Sequence, residues 1–172
     1  MLTCLSKKCI IISEFHDWRE KMIITFIGHS RLFSKDDLKE KIVESVSRIA
    51  TKDEKITFYC GGYGDFDRIA LTSCHYIKSK YKNVEIVYVT PYLTKPHQEK
   101  INVLIGERVY DSIIYPPIES VPPKLAIIKR NEWMIDKSEI IISFVEHSYG
   151  GAYRSFKYAK KRDKKIINLA NF

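Results

Sequence analysis

The sequence predicts an α/β protein of Rossmann-like build, a three-layer sandwich with a mostly parallel sheet of about six strands and helices on both faces. Three observations predict it. Short, nearly unbroken apolar runs such as Ile140-Ile-Ile-Ser-Phe-Val145 read as strands buried on both faces. These runs alternate with segments whose apolar residues recur at helical spacing. Glycine-rich or polar loops stand where a run stops and a helical pattern begins, the junction at which open parallel sheets bind ligands.

The totals are those of a single globular domain. The 172 residues, 45% hydrophobic and 29% charged, are enough to bury a real core, and no repeat or low-complexity tract interrupts them. Lys+Arg 29 against Asp+Glu 21 leaves a net charge of +8, which favours anionic partners without choosing among them. The basic cluster from Lys157 to Lys165 reads as the solvated outer face and trailing end of the last helix. Cys4, Cys9, Cys60 and Cys74 form no C-x-x-C pair, and the histidines stand at no zinc spacing. No metal, cofactor or disulfide framework is expected, and free thiols fit a cytoplasmic location.

Residues 1–21 form an N-terminal extension, either a loose arm or an over-long gene start. The patch Cys9-Ile-Ile-Ile12 is cut short by Glu14, His16 and Asp17 before it reaches signal-peptide or membrane length. The domain is expected to run over 22–172. Ile23–Ile27 is its first strand, stopping at Gly28-His29-Ser30-Arg31. The next helix opens with Ser34 and Asp37 in capping-box spacing and carries Leu38, Ile42, Val46 and Ile49 on its inner face. Lys55–Cys60 is the second strand. It runs into Gly61-Gly62-Tyr63-Gly64-Asp65 and a helix faced by Phe66, Ala70, Cys74, Ile77 and Tyr81.

Three glycines in four residues make this junction a candidate phosphate cradle, with Asp65 as the helix cap and Asp67 either meeting a ribose or complementing the helix dipole. The glycine spacing is not G-x-G-x-x-G and no Walker lysine follows, which speaks against ordinary dinucleotide enzymes and P-loop ATPases. Val84–Val89 is the third strand, ending at Thr90-Pro91. A short helix around Gln98 to Ile105 is expected next, then a fourth strand over 111–115. The prolines at 122 and 123 start a helix running to about Lys137, and the fifth strand ends in Glu146-His147-Ser148-Tyr149. Gly150-Gly151 then opens the last helix, inner face Ala152, Phe156 and Ala159, and Lys165–Leu169 closes the sheet. Each glycine junction reads either as a site where a phosphate meets free helix amides or as a tight turn.

Two segments carry a family resemblance. Arg130-Asn131-Glu132-Trp133-Met134, followed by Ser138 and the strand ending at Gly150-Gly151, resembles the R-K-x-x-M and P-G-G-x-G-T-x-x-E motifs of the Lonely Guy phosphoribohydrolases. Gly61 to Ala70 resembles the glycine-rich segment of the wider SLOG superfamily. That superfamily joins those enzymes to the DNA-processing protein DprA/Smf and includes small YpsA-like proteins of the DUF1273 type. The resemblance covers about Met22 to Ala170 and implies a Rossmann-like nucleotide-binding fold. The related enzymes are commonly dimers, which makes a homodimer one assembly to test for.

The departures are as informative as the matches. Lys157 stands where the family has its catalytic glutamate, Tyr153 and Arg154 replace its G-T step, Tyr149 its proline and Asn131 its lysine. An ammonium opposes the oxocarbenium-like transition state that a carboxylate stabilises. The reading is therefore a module that binds a nucleotide or nucleotide-derived ligand. Candidate ligand-binding residues are Gly28, His29, Ser30, Arg31, Gly61, Gly62, Gly64, Asp65, Asp67, Thr90, Arg130, Asn131, Tyr149, Gly150, Gly151, Ala152 and Tyr153. The alternative is an N-glycosidic-bond hydrolase using another carboxylate, with Glu146 and Arg130 as catalytic candidates. A third reading, DprA-like binding of single-stranded DNA, draws on the net charge.

Overall fold

The computed structural model describes residues 21–33, 36–51 and 55–170. Residues 1–20 of the expected N-terminal extension and the capping residue Ser34 lie outside the described residues, while Lys21 opens the first strand. The chain alternates throughout: β1 (Lys21–Gly28), α1 (Leu38–Ile49), β2 (Lys55–Cys60), α2 (Asp65–Lys80), β3 (Val84–Val89), α3 (Lys95–Gly106), β4 (Ser112–Ile114), α4 (Pro123–Lys137), β5 (Ile140–Phe144), α5 (Gly150–Lys161) and β6 (Lys165–Asn168). The six strands form one sheet in the order β4-β3-β2-β1-β5-β6, with every pairing parallel.

Side chains alternate across each strand, so one sheet supplies two cores. On one face Ile24 and Phe26 of β1, Ile56 and Phe58 of β2, Ile86 of β3 and Ile140 and Ile142 of β5 meet α1 and α2 through Leu38, Ile42, Val46, Phe66, Ala70, Cys74 and Ile77. On the other face Ile27, Ile141 and Val145 pack against Ile135 of α4 and Phe156 and Ala159 of α5, while Tyr59, Val87 and Val89 meet Met134. Cys60 and Cys74 are buried free thiols. Among the described residues no helix is long and apolar enough to cross a membrane.

Two helix starts differ from the sequence reading. Asp37 precedes α1 in a left-handed conformation (φ 58°) and makes no side-chain cap bond, a backbone state that aspartate tolerates. Asp65 is the first residue of α2 rather than its cap; Gly64 (φ 97°) holds the capping position, and the Asp65 carboxylate turns outward to the preceding loop. Pro123 sits in the first turn of α4, where its missing N–H costs nothing. The other end of α4 is closed by Ser138, whose Oγ donates to the Met134 carbonyl (2.7 Å), and by Lys164, whose Nζ donates to the carbonyls of Asp136 and Ser138.

Chain direction places the switch point. β1 pairs with β2 on one side and with β5 on the other, so the loops leaving β1 and β5 diverge to opposite faces of the sheet and leave a crevice between their carboxyl ends. Gly28, opposite Phe144 in the β5 register, ends β1 with the Phe66 ring pressed against it. A Cβ at Gly28 would lie 2.2 Å from Phe66 Cγ and 2.6 Å from its Cβ, and Phe66 is wholly buried. At Gly151 a Cβ meets nothing within 4 Å. Gly28→Ala should therefore lower unfolding stability by about 1–3 kcal/mol through overpacking. Gly151→Ala, inside a helix, should be neutral or stabilising by up to about 1 kcal/mol. Urea denaturation of the two variants checks the contrast.

Candidate functional site

The loop after β1 and the start of α2 are built as one unit. The backbone N–H of Asp65 donates to the Ser30 carbonyl (2.9 Å), and Asp65 Oδ2 accepts the Leu32 N–H (3.1 Å). Gly64 makes this approach feasible, because a Cβ there would stand 2.5 Å from Ser30 Cα. Arg68 pairs with the other oxygen of Asp65. Gly28, His29, Ser30, Gly64 and Asp65 are thus brought together. Arg31 is exposed on the same loop.

The glycine junction of α2 is filled by the protein's own charges. Asp67 Oδ2 accepts the Tyr63 N–H (2.8 Å), taking the position toward the loop amides that a ligand oxygen would take in a phosphate cradle. Burial pushes the Asp67 carboxyl up to about 6, against the pull of the Tyr63 N–H and of Arg130. Arg130, only 2% exposed, comes from α4 beneath this loop, and its Nη1 donates to the carbonyls of Gly61 (2.8 Å) and Val89 (2.9 Å). A Cβ on Gly61 would strike that nitrogen at 2.6 Å. Burial lowers the Arg130 pKa from its usual value while Asp67 opposes the shift, and the guanidinium stays charged. Arg130 thereby clamps the carboxyl ends of β2 and β3, and a Cβ at Gly61 would also meet Asp67 Oδ2 at 2.9 Å. Thr90, fully buried, uses its hydroxyl within its own turn, bonding the Tyr92 carbonyl (2.9 Å), the Tyr92 N–H (3.3 Å) and His97 Nε2 (2.9 Å). Gly62 (φ 69°) packs over the Tyr88 ring.

The junction of α5 has the opposite character. Gly150 takes φ 83°, and neither it nor Gly151 would bring a Cβ within 4 Å of another group. The first turn contains no acidic residue, and Tyr149 at the capping position makes no side-chain cap bond. An open groove of about 310 Å³ begins here, lined by Gly150, Tyr153, Arg154 and Lys157. The Lys157 ammonium lies 5.8 Å from the centre of the Tyr153 ring. Ala152 packs inward on the core beneath α5, and Asn131 Nδ2 reaches Ser155 Oγ at 3.4 Å, linking α4 to this helix. The two glycine junctions, equivalent in the sequence reading, are thus one filled from within and one facing outward.

Between the carboxyl ends of β1 and β5 lies a feature absent from the sequence reading. The rings of His29 and His147 stack at 3.7 Å with an interplanar angle of 24°, and Tyr149 continues the stack on His147 at 3.8 Å and 15°. The Glu146 N–H donates to His29 Nε2 (3.2 Å), which fixes His29 as the neutral tautomer protonated on Nδ1. Burial, then the neighbouring His147, lowers the His29 pKa, with Glu146 opposing. The sequence places His29 among the candidate binding residues and gives His147 no role. Only their pairing across 118 positions of chain gives either a role, and no local spacing encodes it.

The sign of the pH response follows. A histidine whose folded pKa lies below its usual 6.5 contributes full stability above 6.5, and that contribution is lost as pH falls through the folded value. Protonation removes the acceptor for Glu146 and sets a cation against His147. Asp67, raised to about 6, works in the opposite sense and adds stability as pH falls through that value in wild type and variant alike, so the His29 contribution is read as a difference. In thermal melts from about pH 8 to about pH 5, wild type should lose stability relative to His29→Gln below pH 6.5, because the glutamine keeps an acceptor but does not titrate. His97, also lowered by burial, supplies a remaining slope.

No family model matches the chain. It is 29% identical over 140 residues to YoqJ, an uncharacterised protein of the SPbeta prophage of Bacillus subtilis (strain 168), covering 72% of this chain and 81% of that one. Among solved structures it resembles DNA processing protein A (DprA) from Streptococcus pneumoniae with a TM-score of 0.58 at 10% identity, covering 90% of this chain and 52% of that one. It also resembles DNA processing protein A from Helicobacter pylori, a protein that binds single-stranded DNA, with a TM-score of 0.53 at 16% identity, covering 88% and 66%. The chain spans less than two thirds of either DNA processing protein. What it shares with them is the fold, a parallel Rossmann-like α/β sheet.

Proposed function

We propose that the protein is a binding module of SLOG type for a nucleotide or nucleotide-derived ligand, whose phosphate sits at the start of α5. The observation that carries this reading is the contrast between the two junctions. Asp67 already answers the amides of the α2 loop, whereas the amides of Gly150, Gly151 and Ala152 open a helix with no acidic residue in its first turn, beside Arg154 and Lys157. The first-turn amides open beside Gly150 at one end of a groove that Arg154 and Lys157 line along the side of α5, which suits an anionic ligand. Arg130 serves the fold in this reading, holding β2 and β3 in place below the α2 loop. Lys157 in the place of the catalytic glutamate fits anion capture and opposes cleavage through an oxocarbenium-like state.

Adenosine monophosphate should raise the melting temperature; at a concentration a hundredfold above its Kd the stabilisation is about 2.7 kcal/mol. Arg154→Ala with Lys157→Ala should weaken binding at least tenfold, and Gly151→Ala should weaken it while leaving the apo protein stable. Isothermal titration calorimetry checks both. Chromatography of the same mixtures should show no free adenine; release that vanishes in Glu146→Gln would establish the hydrolase instead.

A second reading, single-stranded nucleic acid, has its own observation. Phe33 (102% exposed), Tyr63 (66%) and Tyr149 (70%) project from the loops after β1, β2 and β5, so three aromatic rings stand on the carboxyl edge of one sheet. Exposed rings beside cations are the means by which bases are stacked without sequence choice. Under this reading the anisotropy of a labelled oligothymidine rises on adding protein, the affinity falls steeply between about 50 mM and about 200 mM salt, and Phe33→Ala and Tyr63→Ala each weaken it.

A further inference from the structure

The His29–His147–Tyr149 stack is more than a brace between two loops. Its inner ring is buried, its outer ring is 70% exposed, and one face of that outer ring is covered by His147. The uncovered side of Tyr149 is therefore the end of an aromatic column that starts in the core and stops in solvent. Tyr149 is also the residue directly before Gly150 and Gly151, so the end of the column and the first amides of α5 are adjacent in the chain. The rings of this column lie nearly parallel and face to face, with centroids 3.7 and 3.8 Å apart, so its last ring offers a flat face to a further one.

Resting on the reading of the α5 groove as a phosphate site, we propose that Tyr149 is the base-stacking residue and that the ligand is a purine nucleotide held by the face of its base. A ring laid on Tyr149 extends the column by one member while its phosphate reaches Gly150, Arg154 and Lys157. The histidines beneath hold the tyrosine in one orientation, so little side-chain freedom is lost on binding. Recognition by a face rather than by an edge has a defined consequence. Every base has a π-face, so stacking ranks bases by ring area and does not read their exocyclic groups. The two purines are then bound alike, and both more tightly than the pyrimidines.

Titration calorimetry with the monophosphates of adenosine, guanosine, cytidine and uridine, and with ribose 5-phosphate as the baseless reference, tests this. The expected order places the two purines together, the pyrimidines below them and ribose 5-phosphate last. Tyr149→Ala should weaken the purines roughly 5- to 100-fold, bringing them down to ribose 5-phosphate, which it leaves unchanged. Tyr149→Trp should preserve or tighten purine binding. His147→Ala, acting only through the orientation of Tyr149, should weaken the purines and spare ribose 5-phosphate. Equal affinities for all four bases, or purine affinity untouched in Tyr149→Ala, would overturn the stacking role while leaving the phosphate reading standing. Loss of every ligand, ribose 5-phosphate included, from the native protein would overturn both.

Discussion

The parallel pairing of β1 with both β2 and β5 is the constraint on which the rest of this structure depends. A strand flanked on both sides by parallel neighbours must be reached by crossover connections, and a reversal of strand order at that point sends the two flanking loops to opposite faces. The crevice between β1 and β5 follows from that path and needs no special residue to open it. What fills its rim does depend on particular residues. Gly28 lets the Phe66 ring press on the end of β1, and Gly64 lets the α2 loop approach Ser30, so the two loops on one side of the crevice are locked together. On the other side the β5 loop is joined to β1 by one N–H bond to His29 and by a column of stacked rings.

Electrostatics then distinguishes two junctions that share a glycine-rich strand-to-helix design. At α2 a half-buried carboxylate accepts the Tyr63 N–H while a buried guanidinium donates to the Gly61 carbonyl from beneath. The carboxyl's upward shift to about 6 shows how far burial outweighs the nearby cation. The guanidinium holds geometry well, because its Nη1 ties two strand ends together from a buried position. At α5 the helix starts without an acidic residue, and the nearby side chains are cations. The same backbone device thus serves architecture at one site and faces outward at the other.

Much of the fold was legible in the residues. Periodicity and junction chemistry placed eleven elements in order, because each buried parallel strand must be apolar throughout and each covering helix must carry one apolar stripe. The α2 start was misread at Asp65: capping residues are recognised by type, but a neighbouring loop competed for its carboxylate. Of the candidate site, the glycine pairs, His29 and Tyr149 were all in view, yet their relations were not. Arg130 stood in a motif that suggested an anion, and the structure shows its Nη1 bound to two main-chain carbonyls, a contact between segments 69 and 41 positions away.

By itself the sequence determined the layers, the direction of the strands and the junctions at which a ligand could approach, since these follow from local periodicity and from where glycine is tolerated. Only the tertiary structure decided which junction is answered internally, which faces solvent, and that two histidines and a tyrosine form one column. Those outcomes rest on contacts between residues far apart in the chain, where burial and a few ångströms of separation set the energy, and neither quantity is written in neighbouring residues.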